Sequence, residues 1–197
     1  MKRWLGVLAL AVVLAAAVSF GGQAAPQLRA LSPELRAAVA AADYAAVRIK
    51  RFPLASEAWT FRRFTFAETL EKLKELGVAG VEAFPGQALA AEFPGARFDE
   101  NMTADQVAFV KDALERNGVT LYGYGVVDIG RTEASMRKVF DFARRMGIRV
   151  VACEPADDDF ALLEKLAKEY NVKVAIHNHP APSKYHRPET VFSHVDG

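Results

Sequence analysis

The chain has 197 residues, of which 51% are hydrophobic and 25% are charged, so it is long enough to bury one ordinary globular core. Its formal net charge is +1, and it has no basic run and no interleaving of aromatic and basic residues, which argues against a nucleic acid partner. The single cysteine, Cys153, excludes an internal disulfide, and its apolar neighbours predict a buried structural thiol.

Residues 1–24 are predicted to be a signal peptide. A short basic region is followed by a nearly all-apolar run at residues 4–20, and small residues stand at 22–24, where a signal peptidase would cut. We therefore expect an exported protein, periplasmic or extracellular. The alternative is an uncleaved membrane anchor, because the apolar run approaches spanning length. Residues 25–51 are alanine-rich and predict a helical leader ahead of the core.

From residue 52 onward, strand and helix patterns alternate. Strands are predicted at residues 53–60, 78–84, 119–127, 148–154 and 172–177. Helices are predicted at residues 66–76, from a cap at Thr103 to 117, at 131–146 and 157–170, and from Pro188 onward. The first four helices end in Gly or Asn followed by a β-branched residue, which is typical of a left-handed cap that leads into the next strand.

This alternation predicts an α/β fold with parallel strands and right-handed crossovers. Two architectures fit the pattern, an eight-fold barrel and an open doubly wound sheet. A glycine-rich phosphate loop is missing after the first predicted strand, where Trp-Thr-Phe-Arg-Arg stands at residues 59–63, so a nucleotide-binding sheet is the weaker alternative.

The most informative motif is Ala-Ile-His-Asn-His-Pro at residues 175–180, which closes the fifth predicted strand. Successive side chains of a strand alternate between its two faces, so His177 and His179 are expected to project to the same side. Two imidazoles that converge at the end of a buried strand indicate a metal site or an acid/base site.

Several segments together resemble the xylose-isomerase-like barrel superfamily, and within it the exported proteins usually labelled sugar phosphate isomerase/epimerase. The resemblance covers residues 52–197. It is carried by the order and spacing of Ala-Trp-Thr-Phe at 58–61, the helix at 66–76, Gly-Val-Glu-Ala-Phe-Pro-Gly-Gln at 80–87, Glu-Pro at 154–155 and Ala-Ile-His-Asn-His at 175–179.

The resemblance implies a (β/α)8 TIM barrel with catalysis at the carboxyl ends of its strands. It also implies a divalent metal (Mn, Mg, Co or Zn) that polarises a sugar carbonyl while carboxylates shuttle a proton. About five of the eight β/α units are present, so an N-terminal fragment is expected, inactive alone, with further metal ligands beyond Gly197. Many relatives carry Glu where this chain has His177, so a metal role for His177 follows from its position only. His179 is expected to bind the metal or to contact the substrate.

Three carboxylates on the predicted strands are further candidates, two of them at strand ends. Glu154 follows the fourth strand and is a candidate general acid/base, or else it caps the helix that follows. Glu82 ends the second strand, where a charge is costly unless it is paired or solvated. A substrate contact and a structural ion pair are therefore equally supported interpretations of Glu82. Glu57 lies within the first strand and is interpreted as structural.

Two more residues are candidate substrate contacts, each with an alternative. Trp59 would stack on a sugar ring, although packing in the core is the stronger interpretation. Lys184 stands in a polar loop after the fifth strand, and loops at this end of a strand often contact substrate. The alternative, and the default, is that Lys184 belongs to the solvated surface. The three aspartates at 157–159 are interpreted as a helix N-terminus and not as a metal cluster.

The leading hypothesis is a sugar isomerase or epimerase that transfers a proton next to a carbonyl with the help of a metal. The second is a lyase or dehydratase acting on 3-keto-sugars or keto-inositols, and the third is an inactive fragment. The expected partner is a small sugar. Pairing of two copies would complete a barrel, which makes a homo-oligomer one expectation, and membrane contact is expected only if the apolar N-terminal run is retained.

Overall fold

The computed structural model describes residues 48–49 and 52–194, so the predicted signal peptide and most of the predicted leader lie outside the described residues. The leader was expected to be helical to residue 51, but Arg48–Ile49 forms a strand, β1, that pairs antiparallel with β2 at Phe52–Pro53. β-Branched residues stand at 47 and 49 and favour this extended backbone. Among the described residues, no helix has both the length and the apolar character needed to cross a bilayer.

A five-stranded parallel sheet forms the body of the domain. Its strands are β3 (Ser56–Glu57), β4 (Gly80–Ala83), β7 (Thr120–Tyr124), β8 (Val150–Cys153) and β9 (Lys173–Ile176). They lie side by side in the order of the chain, β3-β4-β7-β8-β9. A doubly wound sheet would reverse its strand order part-way, so this sequential order is that of a barrel wall. The predicted partial (β/α)8 architecture is confirmed.

A helix follows each strand of this sheet. The helices are α1 (Phe66–Leu76), α2 (Ala104–Asn117), α3 (Glu133–Met146), α4 (Phe160–Tyr170) and α5 (Pro188–Phe192). Threonines cap the first three, each with a reciprocal capping box: Thr65 with Glu68, Thr103 with Gln106, and Thr132 with Ser135. The first four helices end at residues with left-handed backbone: Gly77, Gly118, Gly147 and Asn171. The predicted ends of these four helices are therefore confirmed, and their starts agree within three residues, the largest difference being in α4, where Asp157–Asp159 forms a separate 3₁₀ turn.

The core lies between the sheet and these helices, and aromatic rings fill its centre. Phe98, Tyr124 and Phe142 are buried, with ring centroids 5.1–5.9 Å apart in each pair. Edge-to-face and tilted contacts of this kind add to the free energy gained from burial. Cys153 is also fully buried, and desolvation raises its thiol pKa to about 12, so the predicted structural thiol is confirmed.

Two parts of the fold differ from the sequence prediction. The first core strand was expected over residues 53–60, but only Ser56–Glu57 pairs with β4, and Ala58–Phe61 forms a 3₁₀ helix. The Glu57 carboxylate accepts the Trp59 N–H at 3.0 Å, and this bond ends the strand and starts the turn. The loop before α2 contains an unpredicted hairpin, β5 (Gln87–Ala88) with β6 (Arg97–Phe98).

Candidate active site

The carboxyl ends of the parallel strands bring acidic and imidazole side chains to one edge of the sheet. Glu57 ends β3, Glu82 lies near the end of β4, Glu154 directly follows β8, and His177 directly follows β9. Four of the five strands therefore contribute a titratable side chain to the same edge, which is the functional edge of parallel α/β folds.

A cavity of about 440 Å³ opens at this edge. Its polar walls are Glu57, Glu82, His177 and His179, and its apolar walls include Trp59 and Phe84. A cavity of this volume lies within the range of small-molecule sites, where a few convergent polar groups fix the ligand and aromatic surface packs against it.

Glu154 joins the two histidines into one cluster beside the cavity. Its Oε1 atom lies 3.0 Å from the Nδ1 atom of His177 and 3.0 Å from the Nε2 atom of His179. The two imidazole rings meet edge to face, with centroids 4.5 Å apart. The three donor atoms all lie within 4.8 Å of one another. Both imidazoles thus reach the same carboxylate oxygen, although the paired part of β9 ends at Ile176, before either histidine.

The donor set of this cluster fits a divalent metal. Two imidazole nitrogens and one carboxylate oxygen form the His₂Glu set found in catalytic zinc sites, and the same atoms bind manganese and cobalt. Donor atoms held at about 2.0–2.2 Å from one ion lie about 3.3–3.6 Å apart in tetrahedral geometry. The two oxygen–nitrogen separations of 3.0 Å are a few tenths of an ångström shorter, so the side chains would have to move apart slightly to hold an ion.

Glu57 and Glu82 form a second feature, a pair of carboxylates on adjacent strands. The two residues are direct partners in the parallel register of β3 and β4. Burial raises the pKa of Glu82, and the nearby charge of Glu57 raises it further, while His177 lowers it. Burial also raises the pKa of Glu57, against the opposing effects of the Trp59 N–H and His177. Because two neighbouring carboxylates resist ionising together, this pair is suited to hold a proton.

Glycines of β7 and the segment after it leave space for this arrangement. A Cβ atom at Gly123 would lie 3.1 Å from the Cγ atom of Glu82, so the Glu82 side chain passes directly over this glycine. A Cβ atom at Gly125 would lie 2.5 Å from the Cβ atom of Ala152. The close approach of β8 to Gly125 therefore requires a residue without a side chain. Gly123 thus allows Glu82 to extend into the cavity.

No protein-family model matches the sequence, and the comparison with curated proteins gives no match. Among solved structures, an uncharacterised protein from Parabacteroides distasonis ATCC 8503 is 34% identical over 73% of this chain and 57% of its own, with a TM-score of 0.65. A sugar phosphate isomerase/epimerase from the same strain is 11% identical over 73% and 64%, with a TM-score of 0.50.

A D-psicose 3-epimerase, solved in the presence of D-fructose, is 13% identical over 70% of this chain and 58% of its own, with a TM-score of 0.47. This chain thus spans between 57% and 64% of the length of these three structures. Together with the strand order, the second match decides the fold class. The fold is a partial TIM barrel.

Trp59 stands at the mouth of this partial barrel and not in its core. Its side chain is part of the 3₁₀ helix after β3 and is 55% exposed, which overturns the interpretation of core packing. Its ring meets the edge of Phe84 at a centroid distance of 5.0 Å. Because Trp59 is part of the unpredicted turn, its ring forms an exposed aromatic surface on the cavity wall.

The remaining candidates lie elsewhere. Lys184 pairs with Asp157, is outside the walls of the cavity, and remains only a predicted substrate contact. Asp157 also lies 2.8 Å from His194. Asp159 accepts the Ala156 N–H at 2.8 Å, so the aspartate run is the expected start of a helix.

The sequence did not identify Glu57 as part of the site. Its position two residues before Trp59 indicated that the two side chains share a face of the predicted strand. Its pairing with Glu82, however, depends on the register between β3 and β4, which the sequence does not show. Gly125 and Val126, in the segment after β7, also line the cavity. No sequence motif marks this segment, so its part in the site was not predicted.

Proposed function

We propose that this chain carries the site of a sugar isomerase or epimerase, which transfers a proton at the carbon next to a carbonyl with the help of a divalent metal. The observation that carries the proposal is a cavity of about 440 Å³ walled by two carboxylates and two imidazoles, with a third carboxylate, Glu154, joined to both imidazoles beside it. The exposed face of Trp59 supports a sugar as substrate, because aromatic rings pack well against the C–H face of a sugar ring.

Glu154, His177 and His179 are the residues that would hold the metal. Bound there, Mn, Mg, Co or Zn would act as a Lewis acid on a carbonyl oxygen. The imidazoles suit this role because their nitrogens lie 3.0 Å from one shared carboxylate oxygen. The backbone N–H of His177 donates to the Cys153 carbonyl at 3.0 Å, which fixes the start of the His-Asn-His segment against β8.

Glu57 and Glu82 are the proton carriers in this proposal. The ionised member of the pair takes the proton from the carbon next to the carbonyl. The C–H electron pair forms the carbon–carbon double bond of an enediolate, and the carbonyl π pair moves onto the carbonyl oxygen. In isomerisation, the carboxyl group returns the proton to the former carbonyl carbon, while the hydroxyl proton moves from the neighbouring oxygen to the former carbonyl oxygen. In epimerisation, the other carboxyl group of the pair protonates the opposite face of the carbon that lost its proton, and the electron pair on oxygen forms the carbonyl again. Raised pKa values bring both groups closer to the range in which they exchange protons near neutral pH.

A lyase is the second candidate, and the identity of His177 favours it. The resemblance places a proton-shuttling Glu at this position in isomerases, whereas this chain has an imidazole. In a 3-keto-sugar, a base removes the proton next to the carbonyl, a double bond forms, and the C–O bond of the β-substituent breaks. A protonated carboxyl of the Glu57–Glu82 pair would donate its proton to the departing oxygen.

Proton exchange with solvent tests the proposal and separates the two reactions. Aldoses, ketoses and 3-keto-glycosides are incubated with the metal-loaded chain in D₂O and followed by NMR. An isomerase or epimerase incorporates deuterium next to the carbonyl and yields a new sugar isomer, whereas a lyase yields an unsaturated ketone and a released alcohol. Glu82→Gln should lower the rate about 10²–10⁴-fold. Glu92→Gln, the same change at an exposed position, should leave it unchanged.

Absence of both exchange and elimination with every sugar class would contradict the proposal and favour the third hypothesis of an inactive fragment, whereas turnover would contradict that hypothesis. Equal rates for Glu82→Gln and Glu92→Gln would contradict the assignment of the carboxylate pair while leaving the metal cluster to be tested on its own.

A further inference from the structure

A second recess, of about 300 Å³, adjoins the cavity. Trp59 and Phe84 line both spaces, so the two aromatic rings form a common wall. A ligand held in the cavity would have to pass over the edge of this wall to reach the recess, and these two side chains separate the spaces.

The recess is lined by three arginines, Arg62, Arg63 and Arg97. Glu68 also lines it, but its Oε2 atom already accepts two hydrogen bonds from Thr65, at 2.7 Å and 2.9 Å. The recess therefore carries three positive charges and one negative charge, and the negatively charged carboxylate already accepts hydrogen bonds in the cap of α1. The electrostatic potential in the recess favours an anion.

These arginines keep unused hydrogen-bond donors. Within residues 54–194, none of the three guanidinium groups forms an ion pair with a carboxylate, whereas Arg116 pairs with Asp112 on the helix surface. Arg62 donates to the Trp59 carbonyl at 3.3 Å, and Arg97 donates to the Gly86 carbonyl at 3.3 Å. Each guanidinium has five N–H donors, so most of them remain open to a ligand.

Arg62 also connects the recess to the cavity wall. Its guanidinium carbon lies 5.4 Å from the centre of the Trp59 ring, within cation–π distance. The ring whose surface lines the cavity is therefore held by a cationic group of the recess.

We propose that this recess binds an oxyanion, a carboxylate or a phosphate, carried by the same sugar whose carbonyl end occupies the cavity. The substrate class is then an anionic sugar, which deepens and rests on the proposed function. Planar guanidinium groups match the oxygen geometry of both anions and bind them through paired hydrogen bonds. The recess and the cavity adjoin at Trp59 and Phe84, so a sugar that reaches over these two side chains would occupy both spaces.

Trp59 fluorescence measures this binding without any need for turnover. The chain has two tryptophans, Trp4 and Trp59, so Trp4→Phe leaves Trp59 as the sole reporter. This protein is titrated with glucuronate, glucose 6-phosphate and glucose. We expect at least one anionic sugar to bind about tenfold or more tightly than glucose, because charge-assisted hydrogen bonds are stronger than neutral ones.

Arginine variants locate the effect. Arg63→Gln and Arg97→Gln, each made in the Trp4→Phe protein, should weaken anionic sugar binding about tenfold and leave glucose binding unchanged. Arg116→Gln removes the same charge from an exposed helix position and should change neither. Preference for glucuronate identifies a carboxylate as the bound group, and preference for glucose 6-phosphate identifies a phosphate.

Equal affinity for glucose and both anionic sugars would overturn the proposal, as would unchanged anion binding in the two recess variants or a lack of response to all three sugars. The proposed function fails separately: anionic sugars then bind with the expected preference but exchange no proton with solvent. Conversely, exchange on neutral sugars without any anionic preference would remove the recess proposal alone.

Discussion

The Oε1 atom of Glu154 lies 3.0 Å from the Nδ1 atom of His177, although 22 residues separate them in the chain. The register of the sheet explains this contact. Cys153 and Ile176 are direct partners in the β8–β9 pair, so the residues that follow them stand side by side. His179, two positions further and beyond the end of β9, also reaches Glu154 and completes the cluster.

Glu82→Gln is predicted to stabilise the fold at about pH 7 and to lose this advantage toward about pH 4. Burial raises the folded-state pKa of Glu82, so the folded chain binds the proton more tightly than the unfolded chain does. That stabilising contribution is complete below the unfolded pKa and is lost as the pH rises through the raised folded pKa. Glutamine is uncharged throughout and avoids the loss.

Thermal denaturation over this pH range measures the effect, with Glu92→Gln as the matched exposed control. A difference between Glu82→Gln and the parent that does not vary with pH would contradict the predicted protonation of Glu82.

Gly123→Ala is predicted to lower proton exchange about 10–100-fold, because small displacements of a reacting group are costly to rate. The new methyl group would stand 3.1 Å from the Cγ atom of Glu82 and displace its carboxylate. In the Glu82→Gln background the same change should have little further effect. This double-mutant cycle is measured from the four exchange rates, and additive losses would show that Gly123 acts independently of Glu82.

Local chemistry explains why the helices could be predicted. Residues such as Gly77, Gly118 and Gly147 end helices through their own backbone freedom, and Thr103 caps α2 through its own hydroxyl group. The placement of Glu154 and His177 at strand ends follows from the same local patterns. These features need no knowledge of distant parts of the chain.

The carboxylate pair could not be predicted in this way. Glu57 and Glu82 meet only because β3 and β4 adopt one register, and the β4–β7 pairing shifts between Val81 and Glu82. The turn that exposes Trp59 depends on one side-chain hydrogen bond from its N–H to Glu57, which competes with continued strand pairing. The β5–β6 hairpin has only two residues in each strand, too few to give an alternating pattern.

Phe142→Ala is predicted to destabilise the domain by about 3–5 kcal/mol, since it empties the centre of the aromatic core. Phe192→Ala removes the same atoms from a side chain that is 71% exposed on α5 and should change stability by only about 0.5 kcal/mol. Urea denaturation of the two variants gives both values. Similar losses for both would mean that Phe142 does not lie in the packed core.

Cys153 is predicted to resist thiol reagents in the folded protein. Its side chain is fully buried, and the raised pKa, about 12, leaves almost no thiolate. Reaction with a coloured disulfide reagent should therefore be slow in buffer and complete within the mixing time in denaturant. Fast labelling of the folded chain would contradict the described burial of β8.

Metal titration tests the central claim most directly. Metal-free protein is titrated calorimetrically with Zn²⁺ or Mn²⁺, alongside His177→Gln, His179→Gln and the exposed control His186→Gln. The account predicts one bound ion per chain in the parent and in His186→Gln, with affinity lowered about 10-fold or more in the other two variants. Equal binding by the parent and His177→Gln would contradict a metal site at Glu154, His177 and His179.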